Sequence, residues 1–370
     1  MPKGLYVHIP FCARKCRYCD FVSFVNADNY ADAYLDALEK EAAQYVEMEF
    51  DTVFIGGGTP SVLRANQLER LFNIINSAFK ITKNAEFSIE VNPGTLNADK
   101  IAAIVNGGAN RVSVGVQSFN DNELAEIGRI HNTKEAIRAV NEIYSAGIKN
   151  INVDLMTSIP KQSAASLRKS LETAVLLPVT HISAYSLILE EGTPLYEDYE
   201  GGKLVLPSDD EDRDNFDMLL GFLSEHGFDR YEISNFAKTG HECRHNIKYW
   251  ECREYVGLGL AAHSYLDKKR FYNTSDLNKY LRGEFRSEDV SELNREDLLS
   301  EFMMMGLRMT RGVGETEFLN RFGETIENTY GNQLEKFINL GLMAHKNRRY
   351  SLTAKGLDLS NGIMCEFILN

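Results

Sequence analysis

Three cysteines, Cys12, Cys16 and Cys19, fall within the segment FCARKCRYCD, and no fourth cysteine stands nearby. A closed structural zinc site takes four protein ligands, so three thiols in C-x3-C-x2-C spacing leave one place to something else. Three thiolates suit three irons of a four-iron, four-sulfide cubane whose fourth iron stays open to an external ligand. Zinc with His8 as fourth ligand is the competing reading, and it draws that histidine from inside a candidate strand.

The elements that must position such a site are legible in the first two thirds of the chain. Candidate strands are residues 5–11, 52–57, 86–91, 111–117, 150–156 and 181–187. Amphipathic or alanine-rich stretches such as 29–46, 133–147 and 213–227 lie between or after them. Six such units predict an α/β fold with a parallel sheet and right-handed crossovers. They fall short of the eight of a closed barrel, which predicts an open, partial (β/α)6 barrel. Cys12, Gly56 to Gly58, Glu90, Gln117 and Asp154 all fall at or just beyond the C-terminal ends of these strands. Parallel α/β folds build their sites on that rim. Five strands delivering such residues to one rim is a stronger signal than any single motif.

After about residue 235 the pattern changes. Residues 241–265 are aromatic and glycine-rich and read as loop and short strand; 296–309 and 326–341 read as helices, and 342–353 as a hairpin. The expected organisation is a core over 1–235, a connecting region over 236–294, and a smaller winged-helix-like α+β domain over 295–370. The chain has 370 residues, 44% of them hydrophobic, enough for a large core beside a small one. Its net charge is −13, which disfavours phosphate-backbone binding. The last domain therefore reads as a packing unit rather than a nucleic-acid reader, with Lys346, Arg348 and Arg349 the only basic hint otherwise. No apolar run approaches the roughly 20 residues of a membrane span, and the first residues are too polar for a signal peptide. Six cysteines in this length make no disulfide framework, and a cytoplasmic protein is expected.

As a set, YVHIPFCARKCRYCDF (6–21), GGGTP (56–60), EVNP (90–93), GVQSF (115–119), IGRIHN (127–132) and VDLM (153–156) resemble the motifs of the radical S-adenosylmethionine (SAM) enzymes. YEISNFAKTGHECRHNIKYW (231–250) and GLGLAAHSY (257–265) narrow the likeness to the group of oxygen-independent coproporphyrinogen III oxidases (HemN) and HemW-like haem chaperones. The resemblance implies a [4Fe-4S] cluster on Cys12, Cys16 and Cys19, with its open iron chelated by SAM. It also implies SAM contacts from Tyr6, Gly57, Gly58, Thr59, Glu90, Gln117, Arg129 and Asp154. The residue types fit those roles. Glycines admit close backbone approach, Glu90 can accept from an ammonium, and Arg129 can pair with a carboxylate through a bidentate fork. Gln117 can orient either end of the ligand, and Asp154 suits ribose hydroxyls. Each has an ordinary alternative: the glycines as a tight turn, the acids as helix caps, and Tyr18 as loop packing rather than an adenine cover.

Two features depart from the oxidases. These carry a further cysteine two positions beyond the third, where this chain has Phe21, and a long extension ahead of the cluster, where only eleven residues precede Cys12. The resemblance thus implies a haem chaperone that binds haem and passes it to an acceptor protein. Oxidative decarboxylation of coproporphyrinogen III is the alternative. RHNIKYW (244–250) matches the H-N-x-x-Y-W stretch of the chaperone branch and makes His245 the candidate haem donor, with Tyr249 and Trp250 offering flat surface. Packing of these residues within the core is the competing reading. Ser158 and Lys161 stand where relatives commonly have glycines, which predicts a looser turn after Asp154. Peripheral membrane contact is compatible with the absence of a spanning segment, and both monomer and homodimer remain open.

Overall fold

A computed structural model describes residues 2–25 and 29–369. Six strands, β1 (Lys3–Ile9), β2 (Glu49–Gly57), β3 (Lys80–Val91), β4 (Arg111–Gln117), β5 (Asn150–Thr157) and β6 (His181–Ser186), are parallel neighbours in chain order. Helices such as Ala31–Ala42, Ala65–Ala78, Thr133–Ser145 and Ala164–Leu176 connect them. The six βα units expected from the sequence are present, and the α/β fold with a partial barrel stands.

Alternation along each strand separates two faces. Leu5, Val7 and Ile9, then Val53 and Ile55, then Val112 and Val114, are fully buried in the main core beneath the helices. Burying each such side chain contributes about 1.5–3 kcal/mol. The intervening residues are mostly polar or small, Phe54 excepted, and in register across the sheet. His8 pairs with Gly56, Glu90 with Ser113, Ser113 with Asn152, and Asn152 with His181. The concave face is therefore polar by construction, and the site is built on it.

The sheet continues at both edges. β7 (Asp229–Glu232) and β8 (Asn235–Ala237) run beside β6, with β8 antiparallel to it. β9 (Tyr255–Leu258) adds parallel to β1, and β10 (His263–Leu266), β11 (Lys269–Asn273) and β12 (Arg286–Glu292) follow antiparallel. The result is an open sheet of twelve strands, so the strands of 236–294 extend the main sheet. Within that region, residues 244–250 form a helix, Arg244–Trp250, where the sequence reads as loop and short strand. Its cap comes from far away: the Glu86 carboxylate accepts from the backbone N–H groups of Arg244 (3.0 Å) and His245 (2.9 Å). That satisfies donors left open in the first turn.

The last part has its own core, including Met303, Phe318, Tyr330 and Phe367. Helices Arg295–Gly306, Glu315–Phe322 and Ile326–Asn339 pack with a three-stranded antiparallel sheet of β13 (Val313–Gly314), β14 (Met343–Lys346) and β15 (Arg349–Leu352). The expected hairpin is β14–β15. Of the basic residues at its tip, Arg348 pairs with Glu315 and Arg349 with Glu317. Among the described residues no helix is long and apolar enough to cross a membrane, and all six cysteines are unpaired thiols.

Candidate functional site

The cysteine loop leaves the C-terminal end of β1 and folds back on it. Cys12 N–H donates to the Phe24 carbonyl (2.9 Å) and Phe24 N–H to that of Pro10 (2.7 Å). The turn after β2 is laced to the same place, with Gly58 N–H donating to Ile9 (2.9 Å) and Thr59 N–H to Phe11 (2.7 Å). A Cβ on Gly58 would stand 2.7 Å from the Phe11 carbonyl oxygen and 3.0 Å from Cys12 Sγ. At Gly57, φ is +111° and a Cβ would fall 2.6 Å from the His8 ring. The glycines are thus required by close approach to the cysteine loop as well as by turn geometry. Thr59 Oγ1 lies 3.7 Å from Cys12 Sγ, and Arg129 Nη1 lies 3.5 Å from Cys16 Sγ.

His8 offers no fourth ligand for zinc. Its Nε2 donates to the Val22 carbonyl (3.2 Å), which leaves Nδ1 to accept from the Tyr6 hydroxyl (3.0 Å). A single zinc ion would also need its thiolates about 2.3 Å from one point. Among the described residues no three His, Cys, Asp or Glu side chains converge that closely. The three thiols are nonetheless neighbours, since Cys16 and Cys12 both act on the Cys19 thiol, and a set of three is what a cubane with one open iron takes.

Facing the cysteines are two carboxyls and one guanidinium. Burial first, then the neighbouring Asp154, pushes the Glu90 carboxyl up to about 8, against a bond from Gly57 N–H (3.2 Å). Burial also raises Asp154, although Ser183, Asn152 and Ser113 hydrogen-bond its charged form. For Arg129 burial acts downward, but Tyr18 and Cys16 outweigh it and the net shift is upward. Its Nη2 donates to the Gly115 carbonyl, while its buried Nε has no partner among the described residues. All three side chains are half-buried. Gln117, at φ +69°, accepts from the Tyr185 hydroxyl (3.2 Å). Tyr6 adjoins Glu90, whose charge adds to burial in raising the phenol. An orphaned guanidinium nitrogen beside two strained carboxyls is an arrangement completed by a zwitterionic or cationic ligand. SAM, with its sulfonium, ammonium and carboxylate, has those charges.

Asp154 is followed by a turn that stays tight without glycine: Ser158 and Lys161 both take positive φ, 59° and 65°. Ser158 hydrogen-bonds Asp212, and Lys161 pairs with Glu126. The looser turn expected from these residues is not formed, because those partners hold the left-handed backbone.

His245 is not at this rim. It lies near the starts of the strands, 1% exposed, with Nδ1 bonded to Thr52 Oγ1 (2.9 Å) and Nε2 to Tyr249 Oη (2.7 Å). Its ring stacks on Phe54 at 5.3 Å, and burial lowers its pKa to about 3. As placed, the ring has no free lone pair for haem iron, and the packing alternative describes it. Tyr185 joins the site from β6 and was not singled out from sequence. Nor were Ser113, Asn152 and Ser183, which hold Asp154 from below. The signal for all four was their place in the inward-facing alternation.

The open parallel sheet with its three-cysteine loop defines a radical SAM protein, and the Radical SAM superfamily model matches residues 6–174. The HemN C-terminal domain model matches residues 293–359. The haem chaperone HemW of Lactococcus lactis subsp. lactis is 36% identical over 371 residues, covering 100% of this chain and 98% of that protein. Those of Bacillus subtilis (35%, 99% of each chain) and Escherichia coli (33%, 99% and 98%) are similar throughout. The chain belongs to the HemW family. The structure of coproporphyrinogen III oxidase (HemN) from Escherichia coli superposes with a TM-score of 0.86 over 99% of this chain and 90% of that one, at 24% identity, a likeness of fold.

Proposed function

We propose that this protein binds haem and passes it to an acceptor protein, and that it carries a [4Fe-4S] cluster with exchangeable SAM. The observation that carries the reading is likeness over the whole chain to proteins named haem chaperones. Phe21 supports it, since the position where the oxidases have a further cysteine is here an apolar, 64% exposed side chain. Cys12, Cys16 and Cys19 would hold the cluster. Gly57, Gly58 and Thr59 would admit SAM, Glu90 would take its ammonium, Arg129 its carboxylate and Asp154 its ribose, with Gln117 and Tyr6 completing the wall. When bound, this pair supplies one-electron chemistry at a sulfonium.

That intact rim favours a second reading, oxidative decarboxylation of coproporphyrinogen III. The two are separated by an anaerobic assay of the iron- and sulfide-reconstituted protein with SAM, a reductant and coproporphyrinogen III, with cluster content measured in the same sample. The carrier reading expects no porphyrinogen conversion and haem binding, reversible or covalent, without SAM consumed in proportion to product. Protoporphyrinogen formed with matching 5′-deoxyadenosine would overturn it.

A further inference from the structure

The concave face does not stop at β1. Tyr255 of β9 pairs with Gly4, Tyr265 of β10 with Tyr255, and Arg270 of β11 with Tyr265, so the inward side runs on over three more strands. Asp20, Phe21 and Val22 of the cysteine loop, Tyr249 and Trp250 of the helix Arg244–Trp250, and Met305 of the helix Arg295–Gly306 enclose it. A cavity of about 550 Å³ remains, the size of a site for one organic cofactor. Phe21, Tyr249, Trp250, Tyr255 and Tyr265 give it flat aromatic surface, suited to a planar macrocycle. The exposure of Phe21 is explained if an apolar ligand covers it. Buried Trp250 Nε1 has no hydrogen-bond partner among the described residues.

Two histidines line this cavity, His8 and His263. Both ring nitrogens of His8 are committed to Tyr6 and Val22. The ring of His263 is oriented by stacking on Tyr272 at 5.1 Å and makes no hydrogen bond among the described residues. Given the haem-binding reading above, we propose that the porphyrin lies in this cavity, against the cysteine loop, with the imidazole of His263 as an axial donor to its iron. Arg253 and Arg270 are in the same wall, each already paired, Arg253 with Glu251 and Arg270 with Glu301, and would face the propionates from within those pairs. Burial, then Arg270, lowers the His263 pKa, so the ring is neutral and its lone pair open at neutral pH. The family motif would thus contribute Tyr249 and Trp250 as walls, while the donor comes from GLGLAAHSY (257–265).

The test is a ferric-haem titration of the full-length, cluster-reconstituted protein under anaerobic conditions, read at the Soret band, for wild type, His263→Ala and Met305→Trp. Wild type is expected to bind haem with an imidazole-ligated spectrum. His263→Ala should weaken binding roughly ten-fold or more and shift the band, and added imidazole should reverse the shift. Met305→Trp, which fills the cavity without touching the donor, should lower haem occupancy. Unchanged affinity and spectrum in His263→Ala overturn the site and leave the haem reading standing, whereas a wild type that binds no haem overturns both. Should His263→Ala fail to fold, Met305→Trp decides: normal occupancy overturns the cavity, and loss supports it.

Discussion

The Asp154 charge acts on Glu90, and Arg129 is the guanidinium that offsets it, so two carboxyls stand against one positive group among the described residues of the rim. With its pKa up at about 8, against about 4.3 unfolded, Glu90 holds a proton in the folded state that the unfolded chain releases between those values. Fewer protons are then bound on unfolding, so stability falls as pH rises from about 4.3 to 8 and levels off above. A cationic ligand lowers the Glu90 pKa and flattens that slope. Glu90→Gln should remove the slope, raise stability near pH 8, and weaken SAM binding roughly ten-fold or more. Denaturant unfolding at two pH values, with and without SAM, checks this. Gly58 sets a steric limit at the same scale. Its Cβ would meet both the Phe11 carbonyl and Cys12 Sγ, so Gly58→Ala should cut reconstituted iron and sulfide per chain by about half or more while the helical circular dichroism stays near that of wild type. These residues were legible because glycine, acid and cysteine are unusual at strand ends. Tyr185 was not, since a tyrosine in a strand reads first as an ordinary β-former.

The strands and long helices were legible because their period is local: β-branched runs for β1 to β6 and the apolar stripe for helices such as Thr133–Ser145. The helix Arg244–Trp250 was not, because its cap, Glu86, lies 158 positions away in sequence. Its docking also fixes the role of His245, whose ring joins Thr52, Phe54 and Tyr249. His245→Ala should therefore destabilise the protein by about 2–4 kcal/mol, from lost packing and two stranded hydroxyls, measured by denaturant unfolding, and leave the haem spectrum of the folded protein unchanged. The turn after Asp154 bears the opposite kind of prediction. Lys161 holds positive φ at an exposed site, with an ion pair to Glu126 as its side-chain partner among the described residues. Lys161→Gly should raise stability by about 0.5–1 kcal/mol, since relief of the left-handed backbone exceeds the worth of a surface pair. A higher denaturant midpoint with unchanged slope would bear this out.

At the scale of the molecule, the proposed reading puts two neighbouring sites on one face of one sheet. The six parallel strands present the cysteine loop and the charged rim. The strands beyond β1, closed by the helix Arg244–Trp250 and the last domain, present the aromatic cavity. The cysteine loop belongs to both, with Cys12 beside Thr59 and Phe21 in the cavity wall. On the proposed reading, the cluster would lie at the wall of the haem site, and its state would be felt there. The most direct measurement is transfer: haem-loaded, cluster-reconstituted protein is mixed anaerobically with haem-depleted respiratory membranes, and the Soret absorbance of the separated fractions is followed while 5′-deoxyadenosine is assayed. The account predicts that haem moves to the membranes faster than from an equal concentration of free haem, without stoichiometric 5′-deoxyadenosine. Haem that stays with the protein, or SAM consumed in step with a porphyrin product, would contradict it.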